Sequence, residues 1–225
     1  MNLSREEVLQ INADAVAFAD EIRKSRETPQ LPIVVNGIIG PAGDGYAPDI
    51  ELTAEAAQLT HAPQIHALGK AGVDMTTALT ITHAGEATGI TAAAGEIDLP
   101  TVISFTLETD GRLPSGQELG DAIAEVDAAT NNYPLFYMIN CAHPDHFNNA
   151  VAGGQDWTKR IGGIRANASR MSHAELDVAE ELDAGDPIEL GAQHKELLKC
   201  LPNIRVLGGC CGTNHQHVSC IAANI

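Results

Sequence analysis

The chain has 225 residues, 44% hydrophobic and 19% charged, with 30 Asp and Glu against 13 Lys and Arg for a formal charge of -17. That length buries a core without disulfide staples, and no apolar run approaches the roughly 18 residues of a membrane span. The acidic balance leaves phosphate-backbone binding by counterion release nothing to work with, so neither nucleic acid nor membrane is an expected partner. The opening Met1-Asn2-Leu3-Ser4-Arg5-Glu6-Glu7 has no apolar stretch after a basic region, which makes a cytoplasmic address the expectation.

Taken in chain order, short β-rich runs alternate with helical patterns, the sequence form of β/α units around a parallel sheet. Ser4 and Glu7 form a capping box that opens a helix near residue 5. A first strand-like run follows, Leu31 to Ile39, and then a glycine-rich stretch through Gly40, Gly43 and Gly45. That stretch lacks both the dinucleotide-binding spacing and a Gly-Lys-Ser/Thr ending, and reads as a βα loop. A helical pattern from Thr53 stops at Gly72, with a bend expected at Pro63. The second run is Val73 to Ile81 and the third Thr101 to Leu107. Ser115 and Glu118 have capping-box spacing and place a helix start near 116. The remaining runs are Leu135 to Cys141, Ile161 to Ala166 and Ile204 to Gly208. Ser172 and Glu175 open a helix near 173 that Gly185 and Pro187 close, and Thr213 signals a last helix. No linker or composition shift divides the chain, so residues 1–225 are expected to form one domain. Six units suit an open doubly wound sheet or, two strands short, a (β/α)8 barrel.

Five cysteines, at 141, 200, 210, 211 and 220, are an odd number in a chain without secretory features, which argues for thiol or metal chemistry over a disulfide framework. Gly208-Gly209-Cys210-Cys211-Gly212-Thr213 follows the last strand, and its glycines let both thiols face one point. The run ending at Asn140-Cys141 finishes at the same face of a parallel sheet. Three thiolates with one open position make a zinc site that can take a substrate ligand. Cys200 and Cys220 lie in helical patterns and read as packing residues. His215 and His217 follow the pair, but at a helix start they would not both point back at a metal. His173, Glu175 and Asp177 diverge at spacing two, and the segment reads as a helix start. Cys210 and Cys211 also allow a thiol redox protein, though no Cys-x-x-Cys is present.

With Asn140-Cys141 and the Cys210-Cys211 motif in hand, the chain resembles the homocysteine S-methyltransferase family. Further matches occur in the family's order: Ile39-Gly40-Pro41, Gly45-Tyr46, Ala71 to Asp74, Glu86-Ala87, Asp110-Gly111-Arg112 and Ala166-Asn167-Ala168. The resemblance implies a TIM-type (β/α) barrel, here incomplete, with six β/α units corresponding to strands 3–8. It implies Zn2+ held by Cys141, Cys210 and Cys211, and methyl transfer from a small donor to a thiol acceptor, homocysteine or a relative. Two departures accompany it. The family's first two strands have no counterpart here, so the expected partner at the open barrel edges is a complementing chain or a second copy. The family's Glu-Thr-Ile, whose glutamate helps hold the amino group of homocysteine, is replaced by Leu79-Thr80-Ile81. Asn140, Glu108 and Leu79 are accordingly the expected substrate-facing residues, with Glu108 able to compensate for the lost carboxylate. The alternative function is a non-catalytic zinc-binding barrel fragment or subunit.

Overall fold

The computed structural model describes residues 4–46, 48 and 51–225. It contains one six-stranded parallel sheet in the order β1-β2-β3-β4-β5-β6. The strands are β1 (Asn36–Ile39), β2 (Met75–Ile81), β3 (Thr101–Phe105), β4 (Tyr137–Asn140), β5 (Ile161–Ala166) and β6 (Val206–Gly209). Each pairs with its sequence neighbour, which is barrel order and not the reversed order of a doubly wound sheet. No β1–β6 pairing occurs among the described residues, so six strands form an open part-barrel as expected from the sequence.

The helices are α1 (Arg5–Arg26), α2 (Ala54–Ala71), α3 (Ala84–Gly95), α4 (Leu119–Thr130), α5 (Pro144–Val151), α6 (His173–Asp177), α7 (Pro187–Cys200) and α8 (His215–Ala223). The Ser4 and Ser172 capping boxes form, Gly72 ends α2 in the left-handed region, and α2 continues through Pro63. β3 and β4 are buried along their whole length, and Ile81, Phe105, Tyr137, Ile139 and Ile164 are among the core residues. Here α3 is nearly all small residues, which lets it press onto α2: a Cβ on Gly89 would lie 2.4 Å from the Ala54 carbonyl oxygen.

Several boundaries differ from expectation. The run Leu31–Val35 is not strand: Pro32 donates no amide to a ladder, and Leu31 closes a local bridge with Thr28. The helix expected near 116 begins at Leu119. Residues 112–118 instead fold into a tight turn with an Arg112–Glu118 bridge, Gly116 at φ +82°, and Glu118 taken up by the Arg112 guanidinium at 2.7 Å. The segment opening at Ser172 stops at Asp177. Pro187 does not close it but starts α7 at the first helical turn, where Pro is tolerated, with Asp186 as cap.

The open edges are apolar. Val34 and Ile38 on the β1 side and Val206 on β6 are exposed, and α1 carries exposed Val8, Ile11, Phe18 and Ile22 at spacings that share one helical face. No described helix is long and apolar enough to cross a membrane.

Candidate metal and thiol site

The strands' C-terminal ends bring three thiols together. Cys141 follows β4 directly, and Cys210 and Cys211 follow β6. Cys141 Sγ lies 2.8 Å from Cys210 Sγ and 3.7 Å from Cys211 Sγ, and all three sulfurs fall within 4.8 Å of one another. The end of β5 straps the two cysteine segments into place. The Cys141 amide donates to Arg165 O (3.2 Å) and the Cys210 amide to Ala166 O (2.7 Å). Buried Asn167 spans both, donating to Cys141 O (3.0 Å) and accepting from the Cys211 amide (3.1 Å). Cys141 adopts φ +53°, a left-handed conformation rare for a non-glycine residue and characteristic of functional sites.

Electrostatics within the trio are shared. Hydrogen bonds from Cys141 and Cys210 hold the Cys211 thiol well below the usual range, while bonds to Cys210 and Cys211, together with burial, push Cys141 up. Charge therefore collects on Cys211, the exposed sulfur. The donor set suits a soft divalent cation. Zn–S bonds of about 2.3 Å require sulfur separations of about 3.8 Å around a tetrahedron. The Cys141–Cys211 separation meets this, and Cys210 must swing out by about 1 Å. The three residues thus fit a metal with one position left open.

Around the thiols stand residues from other units. The loop after β1 brings the Tyr46 hydroxyl to 2.9 Å from Cys211 Sγ and 3.6 Å from Cys141 Sγ, and burial pushes its pKa up. The Tyr46 ring stacks on His173, centroids 4.5 Å apart and 13° from parallel. His173 in turn contacts Cys141 O through Nε2 (2.8 Å) and Glu108 through Nδ1 (2.9 Å). An open depression of about 490 Å³ beside the thiols is lined by Pro41, Gly43, Asp44, Gly45, Tyr46, Thr80 and Cys141.

The expected substrate-facing residues are distributed as follows. Glu108 is one-third exposed and joined to His173. Asn140 is buried and largely occupied: its Oδ1 accepts from the Thr80 amide (2.9 Å) and Ser104 Oγ (2.6 Å), and its Nδ2 donates to Thr80 Oγ1 (2.8 Å). This grip breaks the β2–β3 register between Ala78 and Ile81 and holds Thr80 at φ +62°. Thr80 consequently lines the cavity, and the half-buried Leu79 does not. Cys200 and Cys220 sit in α7 and α8, away from the cluster. His217 caps α8 through Asn214 and reaches Ala184 O at 2.8 Å, so neither it nor His215 joins the thiols. The sequence reading missed Tyr46 and His173 as site residues. His173 carried a signal, lying shortly after β5 on the same rim as the cysteines.

A family model described as homocysteine S-methyltransferase matches residues 1–225. Solved structures of the homocysteine methyltransferase MmuM from Escherichia coli share the fold at 21% identity. The apo form aligns with a TM-score of 0.73, covering 100% of this chain and 76% of that one. The metallated and oxidized forms align at 0.75 and 0.77, each covering 99% of this chain and 73% of the other. The fold is thus that of these barrels less about a quarter of their length, and with the match of the family model along the whole chain, the protein belongs to the homocysteine S-methyltransferase family.

Proposed function

We propose that this chain is a zinc-dependent S-methyltransferase that moves a methyl group from a small sulfonium or ammonium donor to a thiol, homocysteine or a related compound. The observation that carries the reading is the convergence of Cys141, Cys210 and Cys211 on one point with Cys211 exposed. Zinc held by these three sulfurs would supply a Lewis acid that keeps an incoming thiol as its nucleophilic thiolate. The chain's own residues orient the reactants. Glu108 offers a carboxylate for the acceptor's ammonium, steadied by His173, and Leu79 offers none. Asn140 acts on the acceptor side through Thr80. Among the described residues the depression beside the thiols is walled by the Tyr46 ring and Asp44 and by no Lys or Arg, an environment that suits a cationic donor.

Residues 1–225 act in this reading as one domain, and free thiols at the working site suit a reducing, cytoplasmic address. The unpaired β1 and β6 edges and the apolar face of α1 favour a second reading, a subunit or fragment completed by another chain. Incubating the purified, zinc-loaded chain with homocysteine and a donor carrying a deuterated methyl group separates the two. Deuterated methionine supports the transferase, whereas zinc binding without transfer supports the subunit.

A further inference from the structure

The first turn of α3 grips both ends of the loop that carries Tyr46. At the near end, Glu86, 2% exposed, accepts the Ala42 amide on Oε1 at 2.6 Å, and the same oxygen accepts from His61 Nε2 at 2.9 Å. At the far end His83 Nε2 accepts the Leu52 amide at 2.9 Å. This assigns the proton to Nδ1, which faces Thr82 Oγ1 at 3.0 Å. The backbone of α3 comes close enough for this because residue 85 is glycine: a Cβ there would lie 2.5 Å from Leu52 O. Beneath the loop, between Pro41–Asp44 and Glu86, the space open to the centre of a water is about 10 Å³, roughly one water. The loop's outer end rests on β2, where a Cβ on Gly45 would lie 2.8 Å from Thr80 Cγ2.

We infer that Glu86 is a positioning residue for the thiol site: through the Ala42 amide it fixes the start of the loop, and so sets the Tyr46 hydroxyl over Cys211 and Cys141. The carboxylate makes no contact with the thiols, and its function is exerted along four residues of backbone ending at Tyr46. A neutral leucine would fill the space below the loop without holding the amide. Desolvation works against the charged carboxylate, but the bonds from His61 and Ala42 outweigh it and keep Glu86 ionised. A buried charge kept at such cost in the first turn of α3, not facing solvent, has the loop amide and His61 as its partners. The inference deepens the reading of this site as the place where thiol chemistry occurs, but its test does not depend on methyl transfer.

The experiment measures alkylation of Cys211 by iodoacetamide in the reduced, chelator-treated full chain, read by peptide mass spectrometry. The quantity is the limiting rate constant reached at high pH, which is free of the thiol's own titration. Tyr46→Phe removes the hydroxyl from Cys211 and is expected to raise that constant roughly tenfold. Glu86→Ala is expected to give a rise in the same direction, while Glu86→Gln, which retains an acceptor for the Ala42 amide, stays within about twofold of the unmodified chain. Adding Glu86→Ala to Tyr46→Phe is expected to change nothing further, since the first acts through the second. Ala42→Pro deletes the amide from the loop side and pushes the loop off the carboxylate, and should reproduce the rise if Glu86→Ala fails to fold. Unchanged Cys211 reactivity in Glu86→Ala or Ala42→Pro, or effects of Glu86→Ala and Tyr46→Phe that multiply, would overturn the inference. Failure of methyl transfer with this pattern intact would count against the proposed function alone.

Discussion

Asn140→Ala offers a quantitative check on how the acceptor side of the cavity is built. The substitution deletes one acceptor that serves the Thr80 amide and Ser104 hydroxyl, and one donor to Thr80 Oγ1. Each of the three bonds contributes about 1 kcal/mol net, and the buried Thr80 amide left without an acceptor costs about 1 to 3 kcal/mol more. Partial relaxation of Thr80 from φ +62° returns about 1 to 2 kcal/mol of backbone strain. The expected loss is therefore about 3 kcal/mol. In Thr80→Gly the strain disappears along with the Oγ1 bond, so that variant alone should lie within about 1 kcal/mol of the unmodified chain. Asn140→Ala made in the Thr80→Gly background loses one bond fewer but has no strain left to relax, so it should cost as much as in the unmodified chain or about 1 kcal/mol more. Urea denaturation followed by circular dichroism gives all four stabilities. A loss below about 1 kcal/mol for Asn140→Ala, or a cost in the Thr80→Gly background clearly smaller than in the unmodified chain, would refute the clamp as the reason for the left-handed Thr80.

Two further predictions concern oxidation and acid. In the chelated chain, hydrogen peroxide should oxidise Cys211, the exposed sulfur on which charge collects, and Cys141, 3.7 Å away, should close a disulfide with it ahead of the adjacent Cys210; tryptic mapping of the first disulfide formed checks this, and a vicinal bridge forming first would contradict it. His194 is wholly buried, with Nδ1 bonded to Leu190 O at 2.8 Å and Nε2 facing no acceptor. Burial holds its pKa below the usual histidine value, so its contribution to stability is fully present above about pH 6.5 and is lost as pH falls through the folded-state value. Between pH 7 and pH 5 the urea midpoint of His194→Leu should consequently fall less than that of the unmodified chain, and equal falls would show that the ring is not buried in its neutral form.

The parallel order of the sheet and the meeting of the three thiols were legible because each depends on a local pattern: an apolar run, a cap, a cysteine at a strand's end. β5 occupies its expected residues to both ends. Strand starts at residues 31 and 135 came too early because apolar character alone does not distinguish a hydrogen-bonded strand from a buried approach to one. Ser115 and Glu118 had the spacing of a capping box, but Gly116 admits a left-handed turn and the Arg112 guanidinium competes for the same carboxylate. Contacts made across the rim left no local trace. Tyr46 meets Cys211 from 165 residues away, and Asn140, expected to face substrate, spends its hydrogen bonds on Thr80 and Ser104. Leu79 lies outside the cavity wall for a related reason: the register break that Asn140 imposes on β2 turns Thr80 inward.

The metal content of the chain and of its Cys141→Ser, Cys210→Ser and Cys211→Ser variants tests the central claim most directly. After loading with zinc and removal of the excess, the unmodified chain should retain one zinc per molecule by mass spectrometry, and each variant, left with two thiolates, should retain little or none. The same zinc content in all three variants as in the unmodified chain would contradict the assignment of Cys141, Cys210 and Cys211 as the metal site.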